Sequence, residues 1–139
     1  MRRFLLDTGP AQLFINDGKG VRQRADLERS RGNKIGICTP VLGELWSGVE
    51  GSDSRELNLL RLRRGISRLL NWPFDDAAAA EFGRVFVCLK RIGRPMQQVD
   101  IQIAAIAFSL GRCTVVTGDR DLAAIPGLDV EDWTIPQGS

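Results

Sequence analysis

The stretch Phe4-Leu5-Leu6-Asp7, near the start of the chain, joins a short run of apolar residues directly to an acidic one. An uninterrupted apolar run of this length is typical of a strand that is buried on both faces of a parallel sheet. Two further segments have the same pattern, Ile35-Gly36-Ile37-Cys38 and Cys113-Thr114-Val115-Val116-Thr117. A weaker strand with alternating residues is predicted over residues 128–133, after a Pro-Gly turn signal.

Between these strands the apolar residues recur every three or four positions, which is the spacing of an amphipathic helix. The predicted helices are one that begins at Thr39-Pro40, carries Glu44 and ends near Gly48; one over residues 56–70; one capped by Asp75 or Asp76 and ended by Gly93 and Pro95; and one over residues 99–110 that closes at Gly111. Short buried strands alternating with helices indicate a three-layer α/β/α fold around a mainly parallel central sheet.

Length and composition fit a single domain over residues 1–139. The hydrophobic fraction of 43% and the charged fraction of 26% are ordinary for a globular protein, and no repeat or linker-like segment interrupts the chain. The apolar runs fall well short of the roughly 20 residues that a membrane span needs, and the N-terminal run is too short for a signal peptide. The three cysteines are widely spaced, as expected for buried free thiols. We therefore expect a cytoplasmic protein with no membrane partner.

The chain contains no histidine and no tyrosine. This absence excludes Ser-His-Asp and Cys-His triads and histidine general bases, and it removes most kinds of zinc site. If the protein is an enzyme, carboxylates are the obvious chemical groups that remain. Clustered carboxylates without imidazole or thiolate ligands suit hard cations such as Mg²⁺ or Mn²⁺.

Five acidic residues lie just beyond predicted strands or early in the helices that follow them. Asp7 comes directly after the first strand, Asp119 and Asp121 come just past the third, Glu44 lies in the early turns of one helix, and Asp100 lies in the first turn of another. In parallel α/β sheets, functional sites form beyond the carboxyl ends of the strands. Gathering these carboxylates there costs free energy that a divalent cation would offset. The pattern therefore predicts a metal site able to activate water against a phosphodiester.

Each of these acids also has a purely structural interpretation. Asp7 is a possible helix cap, and Asp100 has the position of a first-turn acid that compensates the helix dipole. Glu44 is a possible solvated helix residue, and Asp119 and Asp121 are typical of a turn, Asp121 more strongly. The joint placement of all five, rather than any one residue, favours a functional site.

Positive charge is concentrated in residues 19–34 and 55–68, whereas residues 117–139 are acidic. Arg61, Arg64 and Arg68 share one face of the predicted 56–70 helix, and we interpret them as a binding surface for the backbone of a polyanion. A face of solvated arginines is the alternative interpretation.

Several segments together resemble the PIN-domain family, and specifically the VapC-type ribonuclease toxins of bacterial toxin–antitoxin pairs. The matching segments occur in the expected order along nearly the whole chain, at residues 4–8, 39–45, 93–96, 100–105, 116–122 and 125–133. The resemblance implies a PIN-like α/β/α domain that cleaves RNA endonucleolytically with Mg²⁺ or Mn²⁺. It also implies a homodimer and a cognate antitoxin whose tail lies over the active site.

By motif match, the resemblance assigns Asp7, Glu44, Asp100 and Asp119 as the catalytic metal cluster, with Asp121 as a fifth metal ligand. It assigns the hydroxyls of Thr8 and Thr117 as supports for these acids. Two alternatives remain open on the residues alone. One is a non-catalytic PIN-like module that acts through protein contacts. The other is a metal-dependent DNA nuclease or phosphatase that uses the same acids.

Overall fold

The computed structural model describes residues 1–135, and its strands form one sheet in which every pairing is parallel. The five strands are β1 (Arg3–Leu6), β2 (Lys34–Cys38), β3 (Leu70–Trp72), β4 (Cys113–Val116) and β5 (Asp129–Glu131). Their order across the sheet is β3-β2-β1-β4-β5. The predicted parallel α/β architecture is therefore confirmed.

Helices fill the connections between successive strands. They are α1 (Thr8–Asn16), α2 (Val21–Ser30), α3 (Thr39–Glu50), α4 (Arg55–Ile66), α5 (Asp76–Arg91), α6 (Gln98–Leu110) and α7 (Arg120–Ala123). Crossovers between parallel strands are right-handed, and the direction of travel across the sheet reverses between β3 and β4. The helices before β3 consequently cover one face and those after it cover the other, which gives the three layers. None of the helices in residues 1–135 has the length and apolar character needed to cross a bilayer.

The central strands are the centre of the hydrophobic core. Phe4, Leu5 and Leu6 of β1 are completely buried, as are Val115 and Val116 of β4. Side chains of adjacent strand residues point to opposite faces, so burial of consecutive residues requires helices on both sides of the sheet. This is the physical reason why an uninterrupted apolar run indicates a central strand.

The prediction for residues 56–70 was wrong at its end. Helix α4 ends at Ile66, and the chain then forms β3, which pairs with β2 through Gly36 and Leu70. A Cβ atom at position 36 would lie 2.7 Å from the carbonyl oxygen of Leu70, so glycine permits this close approach. Arg68 therefore lies beyond the helix and does not share a helical face with Arg61 and Arg64.

The other predicted helix ends differ from the structure by small shifts. Cys38, rather than Thr39, occupies the N-cap position of α3, because its backbone is still extended at the end of β2. This helix continues to Glu50 instead of ending near Gly48. Asp75 is the cap of α5, where its side chain accepts a hydrogen bond from the backbone N–H of Ala78 at 3.0 Å.

Candidate active site

The sheet has a topological switch point between β1 and β4. The connection from β1 leads to one edge of the sheet and the connection from β4 leads to the other, which opens a crevice at the carboxyl ends of these two strands. Asp7 lies at this point, and its backbone N–H donates to the carbonyl oxygen of Val116 at 2.9 Å. The first predicted acid is thus fixed at the end of the β1–β4 ladder.

Thr117 connects the two sides of the switch point. Its side chain is almost completely buried, and its Oγ1 hydroxyl donates to Oδ2 of Asp7 at 2.8 Å. The same hydroxyl accepts a hydrogen bond from the backbone N–H of Asp119 at 2.9 Å. Thr117 therefore orients the Asp7 carboxylate and the loop that carries Asp119 at the same time.

Three carboxylates converge beside this loop. Asp100 lies in the first turn of α6, Asp119 is the N-cap of α7 and Asp121 lies in the first turn of α7. One oxygen atom from each of these residues lies within 4.8 Å of one from each of the other two. Carboxylate oxygens are the ligands that Mg²⁺ and Mn²⁺ prefer, so the donor set fits a hard divalent cation.

Glu44 approaches the site from α3. Its side chain is exposed, and its Oε1 accepts a hydrogen bond of 2.5 Å from the hydroxyl of Thr8. Thr8 is the residue next to Asp7 and the first residue of α1. The hydroxyl predicted to support the acids thus ties Glu44 to the segment that carries Asp7.

Mutual repulsion and burial perturb the protonation of the cluster. The pKa of Asp100 rises to about 6, chiefly because burial disfavours its charged form and then because Asp119, Asp7, Asp121 and Glu44 repel a further negative charge. The pKa of Asp7 also rises, mainly through burial, although its hydrogen bonds from Thr117 and Thr8 oppose the increase. The other four predicted acids therefore all act electrostatically on Asp100.

Helix capping and a role in the cluster are compatible at two positions. Oδ1 of Asp7 accepts from the backbone N–H of Thr8 at 2.8 Å and caps α1, while Oδ2 of Asp7 is bound by Thr117. Oδ1 of Asp119 likewise accepts from the backbone N–H of Asp121 at 2.8 Å. The two interpretations of these residues are therefore not exclusive, because each carboxylate oxygen has a second lone pair that can bind a cation.

One charged neighbour of the cluster is not among the residues predicted from the sequence. Nη2 of Arg94 lies 3.1 Å from Oδ1 of Asp121. Arg94 belongs to the Gly93-Arg94-Pro95 turn, which the sequence marks as the end of a helix and as part of a family-like segment but not as a source of site residues. Nothing in the sequence pattern indicates which of the many arginines reaches an acid 27 positions away.

The arginines predicted to bind a polyanion are not part of this cluster. Arg61 and Arg64 are exposed on α4, and Arg68 is exposed in the turn after it. Within residues 1–135, no hydrogen bond or ion pair joins any of the three to the five acids. Arg61 instead lines a groove between α1, α3 and α4, together with Gln12 and Asn58.

The fold of this chain is similar to that of several solved structures. The chain superposes with a TM-score of 0.86 on a chain of DNA-bound VapBC from Salmonella typhimurium, at 36% identity over 96% of this chain and 99% of that one. It also superposes with a TM-score of 0.86 on a chain of VapBC2 from Rickettsia felis bound to a promoter DNA fragment, at 28% identity over 94% and 98%. The all-parallel fold and these matches place the chain in the PIN-domain class.

Curated relatives identify the branch of that class. The chain is 35% identical to the tRNA(fMet)-specific endonuclease VapC of Shigella flexneri, over 96% of this chain and 100% of that protein. It is 36% identical to the protein of the same name from Salmonella typhimurium, over 96% and 99%. The chain belongs to the VapC family of ribonuclease toxins. No family model matches it.

Proposed function

We propose that this protein is a Mg²⁺- or Mn²⁺-dependent endoribonuclease that hydrolyses RNA phosphodiesters at the acidic cluster of Asp7, Glu44, Asp100, Asp119 and Asp121. The observation that carries the proposal is the convergence of oxygen atoms from Asp100, Asp119 and Asp121 within 4.8 Å of one another. A fold tolerates carboxylates this close together most readily when a cation neutralises their charges. Membership of a family of ribonuclease toxins supports the reaction class.

The residues of the cluster have different roles in the proposed reaction. Asp100, Asp119 and Asp121 would hold the cation, and Asp7 and Glu44 would complete the site from the end of β1 and from α3. When bound, a divalent cation lowers the pKa of a coordinated water and stabilises negative charge on a phosphodiester. Because the chain has no histidine or tyrosine, a carboxylate of the cluster accepts the proton from the attacking water. Thr8 and Thr117 keep Glu44 and Asp7 in position through the hydrogen bonds described above.

The substrate class is RNA, and we propose initiator tRNA as the first molecule to test. The relatives from Shigella flexneri and Salmonella typhimurium carry names that specify tRNA(fMet), and they match nearly the whole chain.

Exposed Arg61, Arg64 and Arg68 remain candidates for binding the RNA backbone. A triple alanine variant of these residues should reduce the slope of binding against salt, by about 0.7 for each phosphate of a single strand that is no longer neutralised. An unchanged slope would remove these arginines from the binding surface.

Protein partners form the second part of the proposal. The solved relatives are VapBC toxin–antitoxin complexes, which supports a cognate antitoxin for this chain. Apolar side chains that are 42–49% exposed on α4 and α5 offer surface for the antitoxin and for a second copy of the chain, namely Leu57, Leu60, Phe86 and Val87. We propose a homodimer that acts in the cytoplasm. Light scattering of the purified protein tests the dimer, and a monomer at high concentration would contradict it.

A substrate panel tests the reaction class. Purified protein, shown to be folded and free of antitoxin, is incubated with initiator tRNA, an unrelated structured RNA, single-stranded DNA and a small phosphomonoester. Each reaction is run with Mg²⁺, with Mn²⁺ and with chelator. We expect cleavage of RNA alone, in the presence of metal alone. Cleavage of DNA or of the monoester at a similar rate would favour a broader nuclease or a phosphatase. The absence of any metal-dependent cleavage would favour a module that acts through protein contacts.

A further inference from the structure

Arg94 forms the one ion pair that reaches the acidic cluster within residues 1–135. Its guanidinium Nη2 donates to Oδ1 of Asp121 at 3.1 Å, across the gap between the end of α5 and the start of α7. The side chains of Arg94 and Asp121 are 45% and 54% exposed. The ion pair therefore lies at the open side of the site, where a substrate would approach.

The backbone of Arg94 is held firmly on both sides. Gly93 has a φ of +69°, and its N–H donates to the carbonyl oxygen of Lys90 at 3.1 Å. The N–H of Arg94 donates to the carbonyl oxygen of Leu89 at 2.9 Å, which completes a Schellman motif at the end of α5. Pro95 then restricts the backbone that follows. The backbone of Arg94 is thus restrained by these features, whereas its long side chain is held in residues 1–135 by the ion pair to Asp121 alone.

The excess of negative charge at the site suggests a role for the Arg94 side chain. Five carboxylates are gathered there, and Arg94 supplies a positive charge that contacts one of them, Asp121. An exposed ion pair of this kind is weak, so a stronger ligand for either partner can replace it. A divalent cation is a stronger ligand for Asp121, and a phosphate is a good bidentate partner for a guanidinium.

We propose that Arg94 is a charge-balancing residue of the active site that pairs with Asp121 in the metal-free protein and with a phosphate of the RNA strand in the metal-loaded protein. This inference rests on the proposed function, because it requires that the cluster bind a cation and that RNA lie beside it. The exchange is possible because the backbone stays fixed while the guanidinium moves. No covalent step is involved.

The test compares Arg94→Gln with Arg91→Gln, a matched loss of one positive charge three positions earlier. Arg91 is exposed in the last turn of α5 and forms no ion pair in the described part of the chain. Mn²⁺ affinity is measured by titration calorimetry. RNA affinity is measured separately with initiator tRNA and the acidic cluster intact, in saturating Ca²⁺ in place of Mg²⁺, because carboxylate oxygens also bind Ca²⁺.

We expect Arg94→Gln to bind Mn²⁺ about two- to fivefold more tightly than wild type, because it removes a competitor for Asp121 worth as much as an exposed ion pair. The same substitution should weaken RNA binding and reduce its salt slope by about 0.7, as expected when one phosphate is no longer neutralised. Arg94→Lys should restore part of both values, and Arg91→Gln should change neither.

Either readout remaining at the wild-type value in Arg94→Gln, or an equal change in Arg91→Gln, would overturn the inference. Failure of the proposed function has a different signature, since wild-type protein would then show no Mn²⁺ binding at all. These measurements record binding rather than turnover, so a general loss of activity cannot imitate the expected result.

Discussion

The hydroxyl of Thr117 lies 2.8 Å from Oδ2 of Asp7, and this bond joins the end of β4 to the end of β1 at the switch point of the sheet. The same hydroxyl accepts from the backbone N–H of Asp119. One buried side chain thus fixes two acids that lie more than a hundred residues apart in the sequence. The position of these two acids therefore depends on this threonine as well as on the strands.

Thr117→Val should impair the site while leaving the fold in place, because valine has a similar shape but no hydroxyl. Loss of a residue that orients a metal ligand typically costs about 10- to 100-fold in metal affinity or activity. Metal affinity from calorimetry and kcat/KM on RNA both test this expectation. Thr117→Ser, which keeps the hydroxyl, is the matched control and should stay close to wild type. A valine variant with wild-type metal affinity would contradict the role given to Thr117.

Asp100→Asn should stabilise the metal-free protein, and the gain should grow with pH. Burial and the neighbouring acids raise the pKa of Asp100 from 3.8 to about 6, so between these values the folded protein binds a proton that the unfolded chain releases. Wild type therefore loses stability relative to the variant as pH rises through this range, and the full loss is reached above about 6. Solvent screens part of this repulsion because Asp100 is only partly buried, so the stability difference is smaller than the full pKa shift would give.

Thermal unfolding in chelator measures this effect as the difference in Tm between the variant and wild type. The difference should be small near pH 4 and largest near pH 7. Asp53→Asn, at an exposed turn outside the site, is the control and should show little dependence on pH. A Tm difference that shrinks as pH rises would show that Asp100 does not experience the repulsion described here.

Mg²⁺ should raise the Tm of wild type, because a cation that binds the folded state alone stabilises it. At about 100 times its Kd, a ligand of this kind stabilises by about 2.7 kcal/mol. Asp100→Asn and Asp119→Asn should each lose most of the increase, since each removes a charged ligand from the converging group. A Tm increase that survives in both variants would locate cation binding elsewhere in the protein.

Two glycine substitutions should change stability in opposite directions. A Cβ atom at Gly36 would lie 2.7 Å from the carbonyl oxygen of Leu70 and 2.8 Å from the ring of Trp72, so Gly36→Ala should destabilise by about 1–3 kcal/mol. Gly83 is exposed within α5, and a Cβ atom there would meet no other part of the protein within 4 Å, so Gly83→Ala should stabilise by about 0.5–1 kcal/mol. Urea unfolding of both variants checks these values. A neutral Gly36→Ala would show that β3 can move away from β2.

Much of the fold could be predicted because its central strands are buried on both faces. The segments concerned are uninterrupted apolar runs, Phe4-Leu5-Leu6 and Val115-Val116. Such runs predict strands covered on both faces, which is typical of a parallel sheet. Strand β3 has no such signal, since Leu70 and Asn71 are exposed and the strand depends on hydrogen bonds to β2. The identity of three residues does not predict a pairing that depends on the tertiary structure.

The candidate site was predictable at the level of residue types and not of contacts. The acids stand out because each follows a strand or lies in the early turns of a helix, in a chain without histidine. The convergence of Asp121 with Asp100 and Asp119 is less evident, because the spacing of Asp121 also suits an ordinary turn. Its pairing with Arg94 is not accessible from the sequence, since it depends on how α5 and α7 are placed in space.

The central claim is that the converging carboxylates form the catalytic site of a metal-dependent ribonuclease. The most direct measurement is the rate of tRNA cleavage in Mg²⁺ by wild type, Asp100→Asn and Asp53→Asn, with each protein shown to be folded. We expect cleavage by wild type and by Asp53→Asn at similar rates, and a loss of cleavage in Asp100→Asn. Cleavage by folded Asp100→Asn at the wild-type rate would contradict the claim and reduce Asp100 to a residue that stabilises the start of α6.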